Sequence, residues 1–121
     1  MISICRKFEF QAAHHLPNYV GACANPHGHS YRLEIEIARE DGGVYPTTGM
    51  ILDFSKLKEV VQEHILSICD HQDLNNRWYL PTAEIMVHDI SSLIRKVLPD
   101  PLILQRVRLY ETSNSYAEWR P

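Results

Sequence analysis

A chain of 121 residues with 45% hydrophobic and 22% charged side chains fits one ordinary domain and leaves no room for a second core. A formal net charge of −3 argues against non-specific nucleic-acid binding, and no apolar run approaches the ~20 residues that span a bilayer. Three cysteines at irregular spacing, Cys5, Cys23 and Cys69, argue against a disulfide framework; with no signal-peptide core at the N-terminus, a reducing, cytoplasmic setting is expected.

The punctuation of the chain predicts an α+β fold. Residues 2–13 read as a strand, with Phe8, Phe10 and Ala12 on one face and Lys7, Glu9 and Gln11 on the other. A loop carrying Pro17, Gly21 and Pro26 follows. Residues 29–40 alternate more cleanly still, Tyr31, Leu33, Ile35 and Ile37 against Arg32, Glu34 and Glu36. After turns at Asp41-Gly42-Gly43 and Thr47-Thr48-Gly49, apolar residues recur at helical spacing from Phe54 to Ile68, with Asp53 as N-cap. The polar stretch 70–76 breaks that helix. A second helix starts at the N-cap Thr82, with Glu84 in its first turn, and stops at Pro99 and Pro101. Residues 102–111 and 115–119 read as strands. The order ββααββ predicts a four-stranded antiparallel sheet with both helices on one face.

Three histidines carry the chemistry. His14 continues the row Phe8, Phe10, Ala12, and His27 and His29 lead into the row Tyr31, Leu33, Ile35. Residues two apart on an extended chain share a face, so hairpin pairing of the two strands places all three imidazoles on the covered side. Gly28 between the pair is expected to kink the backbone so the rings converge. Three nitrogen donors are the ligand count of a catalytic zinc with one open position. Three neutral ligands leave the ion its full charge to polarise an oxygen. His15, His64 and His88 have no such support.

Acid–base candidates surround this set. Cys23 lies four residues before His27, where a cation favours thiolate. Asp70 precedes His71 and fixes its tautomer if the two side chains meet; otherwise His71 is a helix C-terminal cation. Glu111 continues the buried parity of Val107 and Leu109, and a carboxylate there needs a partner. A guanidine-like ligand edge offers two parallel N–H donors; an arginine of the protein, such as Arg106 or Arg108 of a neighbour, is the other possibility.

Six motifs then occur in the order of a known family: Phe10-Gln-Ala-Ala-His14-His-Leu16, Cys23-x-x-x-His27-Gly-His29-Ser-Tyr31, Gly49-Met-Ile-Leu-Asp53-Phe54, Cys69-Asp70-His71-Gln-Asp-Leu74-Asn75, Pro81-Thr82-Ala-Glu84 and Tyr110-Glu111-Thr112. Over nearly its whole length the chain resembles the 6-pyruvoyl-tetrahydropterin synthase family. Its short Cys-to-His spacing is similar to the 6-carboxytetrahydropterin synthase branch of the queuosine pathway. The resemblance implies a tunnelling fold, in which three subunits close their sheets into a barrel, two trimers stack into a hexamer, and active sites lie at subunit interfaces. It implies zinc on His14, His27 and His29, Cys23 as the proton-abstracting thiolate, and Asp70 and His71 as a second acid–base pair, with His71 contributed across an interface. Glu111 anchors the pterin's aminopyrimidine edge, supported by Thr82, Glu84 and Thr112. The implied substrate is 7,8-dihydroneopterin triphosphate, which loses triphosphate and, in the queuosine branch, acetaldehyde to leave 6-carboxytetrahydropterin. The pyruvoyl reaction at the same site is the nearest alternative. A non-catalytic zinc module with Cys23 as fourth ligand, and a zinc hydrolase, are readings of other classes.

Overall fold

The computed structural model describes all 121 residues. Strands β1 (Ser3–His14) and β2 (His27–Arg39) pair antiparallel in continuous register from Ser3 opposite Ala38 to His14 opposite His27. A helical run follows: α1 (Phe54–Val61), a π-helical turn over Gln62–Leu66, and a last turn, α2 (Ser67–Cys69). Then come β3 (Gln72–Asp73), a 3-10 turn at Leu74–Asn76, α3 (Ala83–Val97), β4 (Leu102–Thr112) and β5 (Ser115–Trp119).

The sheet has five strands in the order β3-β1-β2-β4-β5, so the expected four-stranded antiparallel sheet gains a member. The addition is β3, which runs parallel to β1 and pairs only Ala12 with Gln72 and Ala13 with Asp73. A two-residue strand inside a polar stretch has no periodicity to read. Its pairing is set by the way the chain folds back from α2 onto the edge of β1.

Both expected N-caps are present. Asp53 accepts from the Ser55 N–H at 2.8 Å, and Thr82 Oγ1 accepts from the Ile85 N–H at 3.2 Å. The π turn has no signature in the sequence, but its consequence does. Leu57, Val61, Ile65 and Cys69 are all buried and spaced by four. On an ideal α-helix that spacing precesses by about 40° per step, and one wider turn brings the row back over the sheet.

The strand rows converge as the alternation predicts. Phe8, Phe10, Tyr31, Leu33, Ile35, Val107 and Leu109 form one core with Leu57, Ile65, Met86, Ile90 and Ile94. β4 needs an adjustment to contribute at both ends, because Leu102 and Leu104 are even-numbered and Val107 and Leu109 odd. A register shift supplies it: Glu36 lies opposite Arg106 but Ile37 opposite Leu104, leaving Gln105 as the extra residue. Leu33 is fully buried at the centre of this core. Leu33→Ala is expected to cost about 2–5 kcal/mol, read as a lower denaturant midpoint at unchanged slope.

Candidate metal and substrate site

The paired ends of β1 and β2 bring the three histidines together. His14 is 1% exposed and sits directly opposite His27, while His29 is opposite Ala12. The ring centroids lie 4.7, 5.0 and 4.9 Å apart, nearly edge to face, and one nitrogen from each ring falls within 4.8 Å of the other two. Gly28 does not kink the chain as expected. It pairs with Ala13 inside the regular ladder, and plain strand alternation turns both imidazoles the same way.

The hydrogen bonds around the rings fix which nitrogens face inward. His14 Nδ1 donates to the Pro81 carbonyl at 2.9 Å, and His27 Nδ1 donates to the Asn25 carbonyl at 2.8 Å. Carbonyls only accept, so these nitrogens carry the protons and each Nε2 presents a lone pair. The two Nε2 atoms face each other at 3.1 Å. Glu111 Oε1 stands 3.1 Å from His14 Nε2 and 3.5 Å from His29 Nε2. His29 Nε2 is itself buried without a hydrogen-bond partner. Acceptors therefore meet acceptors at the centre of the site. Extra protons or a cation resolve this arrangement, and the carbonyl-tethered Nδ1 pattern is the one that holds ligating histidines. Burial, opposed by Glu111, lowers the His29 pKa and favours the neutral imidazole that ligates.

Within the chain Glu111 meets neither Arg106 nor Arg108. Arg106 and Arg108 lie on the opposite face of β4, where Arg106 reaches Glu34 at 3.5 Å and Glu36 at 3.3 Å, and Arg108 pairs with Glu118 at 2.7 Å. Two features of the strand place Glu111. The β4–β5 register shifts between Tyr110 and Thr112, and the β2–β4 pairing ends at Arg32 opposite Tyr110. Beyond that point the strands part around a cavity of about 380 Å³ lined by His29, Ser30, Arg32, Tyr110, Glu111 and Thr112, among others. On the helix side Glu111 also borders a cavity of about 570 Å³ between α3 and β5, with Glu84, His88, Tyr116 and Trp119.

Asp70 and His71 do meet. His71 Nδ1 lies 3.0 Å from Asp70 Oδ1, at the turn where His71 takes φ 57°. Asp70 Oδ1 also accepts from the Gln11 N–H at 3.0 Å, and that bond foremost, with His71 adding to it, holds the carboxyl below its usual pKa. His71 is exposed and shares a hollow of about 540 Å³ with His29, Gly28 and Gln72. Cys23 is half-buried on a short 3-10 turn, Ala22–Ala24, where its carbonyl accepts from the Leu16 N–H at 2.8 Å. The cluster of mutually close ligand atoms comprises the three histidines and does not include Cys23. Thr82 spends its hydroxyl on the helix cap, and Thr112 Oγ1 accepts from the Asn114 N–H at 3.4 Å.

Several residues of the site carry little or no signal in the sequence. Tyr31 Oη lies 3.2 Å from His14 Nδ1, and the ring stacks on Phe10 at 4.9 Å. Its parity with His29 is the one available signal. The Pro81 carbonyl, 67 residues from His14, leaves none. His88, which the strand parity leaves without support, is exposed and also borders the large cavity.

Comparison with known proteins shows the family. The family model "6-pyruvoyl tetrahydropterin synthase" matches residues 3–121. A Haemophilus influenzae protein named 6-carboxy-5,6,7,8-tetrahydropterin synthase is 30% identical over 99% of each chain. A Synechocystis protein of the same name is 33% identical over 96% of this chain and 91% of its own. The human 6-pyruvoyl tetrahydrobiopterin synthase is 28% identical over 97% of this chain and 90% of its own. Among solved structures, the Caenorhabditis elegans 6-pyruvoyl tetrahydropterin synthase superposes with a TM-score of 0.86 at 26% identity, covering 99% of this chain and 95% of that one. With a family match spanning nearly the whole chain and the histidine cluster in place, this protein is an enzyme of the 6-pyruvoyl tetrahydropterin synthase family.

Proposed function

We propose that the enzyme is a zinc-dependent 6-carboxy-5,6,7,8-tetrahydropterin synthase that converts 7,8-dihydroneopterin triphosphate to 6-carboxytetrahydropterin with loss of triphosphate and acetaldehyde. The observation that carries the reading is the inward-facing set of His14, His27 and His29 with Glu111 against it, Glu111 also bordering a cavity large enough for a bicyclic ring. Three imidazole donors with one position open suit zinc. When bound, zinc supplies a Lewis acid that polarises the substrate's side-chain oxygens.

The chain's own residues do the rest. Glu111 accepts two N–H donors from the aminopyrimidine edge, with Thr82, Glu84 and Thr112 as neighbouring contacts. Cys23 as thiolate takes a proton from the side-chain carbon. Asp70, kept ionised, orients His71, which moves a second proton between side chain and ring. Triphosphate leaves by elimination, and the ring is reduced at the side chain's expense, so no redox cofactor enters; one water added across the bond between the two side-chain carbonyl carbons then leaves a carboxylate on the ring and releases acetaldehyde. We infer in addition that the sheets of three subunits join into a barrel and that two trimers stack into a hexamer, with His71 serving a neighbouring subunit's site. The exposed position of His71 supports this, as do the open edge of β5 and the edge of β1, which β3 covers only at Ala12 and Ala13.

Similarity to the human protein keeps the pyruvoyl reaction as the second reading. Incubation with 7,8-dihydroneopterin triphosphate, with and without chelator, decides between them. Chelator-sensitive release of acetaldehyde and triphosphate by mass spectrometry is the expected outcome. Triphosphate loss with a retained three-carbon side chain identifies the pyruvoyl product. No turnover in either sample overturns the proposal.

A further inference from the structure

The segment from Asp70 to Pro81 wraps the end of β1 and, besides the two β3 pairings, bonds the chain there at Gln11, His14 and His15. At Gln11, Asp70 Oδ1 accepts the backbone N–H at 3.0 Å and the His71 N–H donates to the carbonyl at 2.6 Å. At His14, the Pro81 carbonyl receives Nδ1–H at 2.9 Å. Between them lies Asn75. Its Oδ1 accepts from the His15 N–H at 2.9 Å, and its Nδ2 donates to the His15 carbonyl at 3.0 Å.

Asn75 stands where the strand ladder stops. β3 pairs with β1 only at Ala12 and Ala13, so the backbone of His15 has no β3 residue beside it. A carboxamide carries the same donor and acceptor as a peptide unit and adds the missing rung with a side chain. Asn75 is itself held: its N–H donates to Asp73 Oδ1 at 3.0 Å, and Leu74 beside it is fully buried. Further along the segment, Trp78 Nε1 donates to Asp89 Oδ2 of α3 at 2.9 Å, anchoring the approach to Pro81.

We propose that Asn75 is a positioning residue: its carboxamide clasps the His15 backbone, holds the adjacent His14 imidazole in the ligand cluster, and keeps that cluster in register with the Asp70–His71 pair on the same segment. This rests on the metal reading given above. Losing a group that orients a ligand lowers metal affinity by roughly 10–100-fold. Asn75→Ala removes both bonds. Asn75→Asp keeps the acceptor for the His15 N–H but sets a carboxylate against the His15 carbonyl. Asn76→Ala, at an exposed neighbour with no side-chain bond, is the local control. Leu98→Ala, which trims a half-buried residue packed on the core, is the control for lost stability alone.

The test is titration of each metal-free full-length chain with Co²⁺, reading affinity and the shape of the visible d–d bands. Weakening of about 10–100-fold with altered bands is expected for Asn75→Ala, a smaller weakening for Asn75→Asp, and values within twofold of wild type with unchanged bands for both controls. Asn75→Ala binding Co²⁺ as wild type does overturns the proposal; if that variant does not fold, wild-type binding by Asn75→Asp overturns it equally. Equal weakening in Leu98→Ala also overturns it, since stability then accounts for the effect. Wild-type chain that takes up no Co²⁺ overturns the metal reading instead. In that case amide exchange at His15 tests the clasp directly, and protection unchanged in Asn75→Ala sinks it.

Discussion

Replacing His29 with alanine is expected to take the metal content from about one per chain to none and to lower turnover by roughly 1,000-fold or more, which corresponds to about 4 kcal/mol of transition-state stabilisation. His29 is the informative choice among the three. His14 is buried and its Nδ1 holds the Pro81 carbonyl, so alanine there opens a cavity and strands an acceptor. His29 Nε2 has no hydrogen-bond partner and its one polar contact in the metal-free fold is Glu111 Oε1 at 3.5 Å, so its removal strands no tethered carbonyl. The metal-free stability of His29→Ala is therefore expected to fall less than that of His14→Ala. What disappears is the increment that zinc adds to the folded state, about 2.7 kcal/mol at a hundredfold excess over Kd. Elemental analysis after dialysis, together with melting curves with and without zinc, checks both halves. A variant that keeps one zinc per chain removes His29 from the ligand set.

The histidine site is legible in the sequence because strand alternation is a strict rule. A period of two puts His14, His27 and His29 on the faces of Phe10 and Tyr31, and the hairpin register then has no other side on which to bury them. The caps at Asp53 and Thr82 are legible for the same reason, since each is a local signal next to a helical period. The features that escape are those in which the backbone departs from its period or is answered from far away. Gln105 is an extra residue in a strand, and the π turn is a wider turn in a helix; both keep apolar rows in line that a strict period would rotate out. The Asn75 clasp and the Pro81 carbonyl join residues 60 and 67 positions apart, and nothing local marks either end. Glu111 lies between these cases. Its parity announces a buried carboxylate in need of a partner, but the nitrogens it faces belong to β1 and β2 and emerge only when the sheet is assembled.

Cys23→Ala is expected to retain zinc at one per chain while kcat falls by about 100- to 10,000-fold, the range that loss of a positioned proton acceptor produces. The local fold tolerates the change. Cys23 sits between Ala22 and Ala24 on a short 3-10 turn, and the bond that closes its loop runs from the Leu16 N–H to the Cys23 carbonyl, not to the thiol. Loss of turnover in a folded, metal-loaded variant then isolates a chemical role for the sulfur. Separate assays of metal content and turnover distinguish this from the structural alternative. A four-ligand site closed by the Cys23 thiolate would lose zinc along with any activity, because three histidines alone would leave it open. The geometry sets the expectation: three imidazoles lie within 4.8 Å of one another, the cysteine is not among them, and Glu111 is the carboxylate that approaches two of the rings. A metal held that way would keep a face for the substrate, and the Cys23 sulfur, outside the ligand set, would as thiolate accept the substrate's proton.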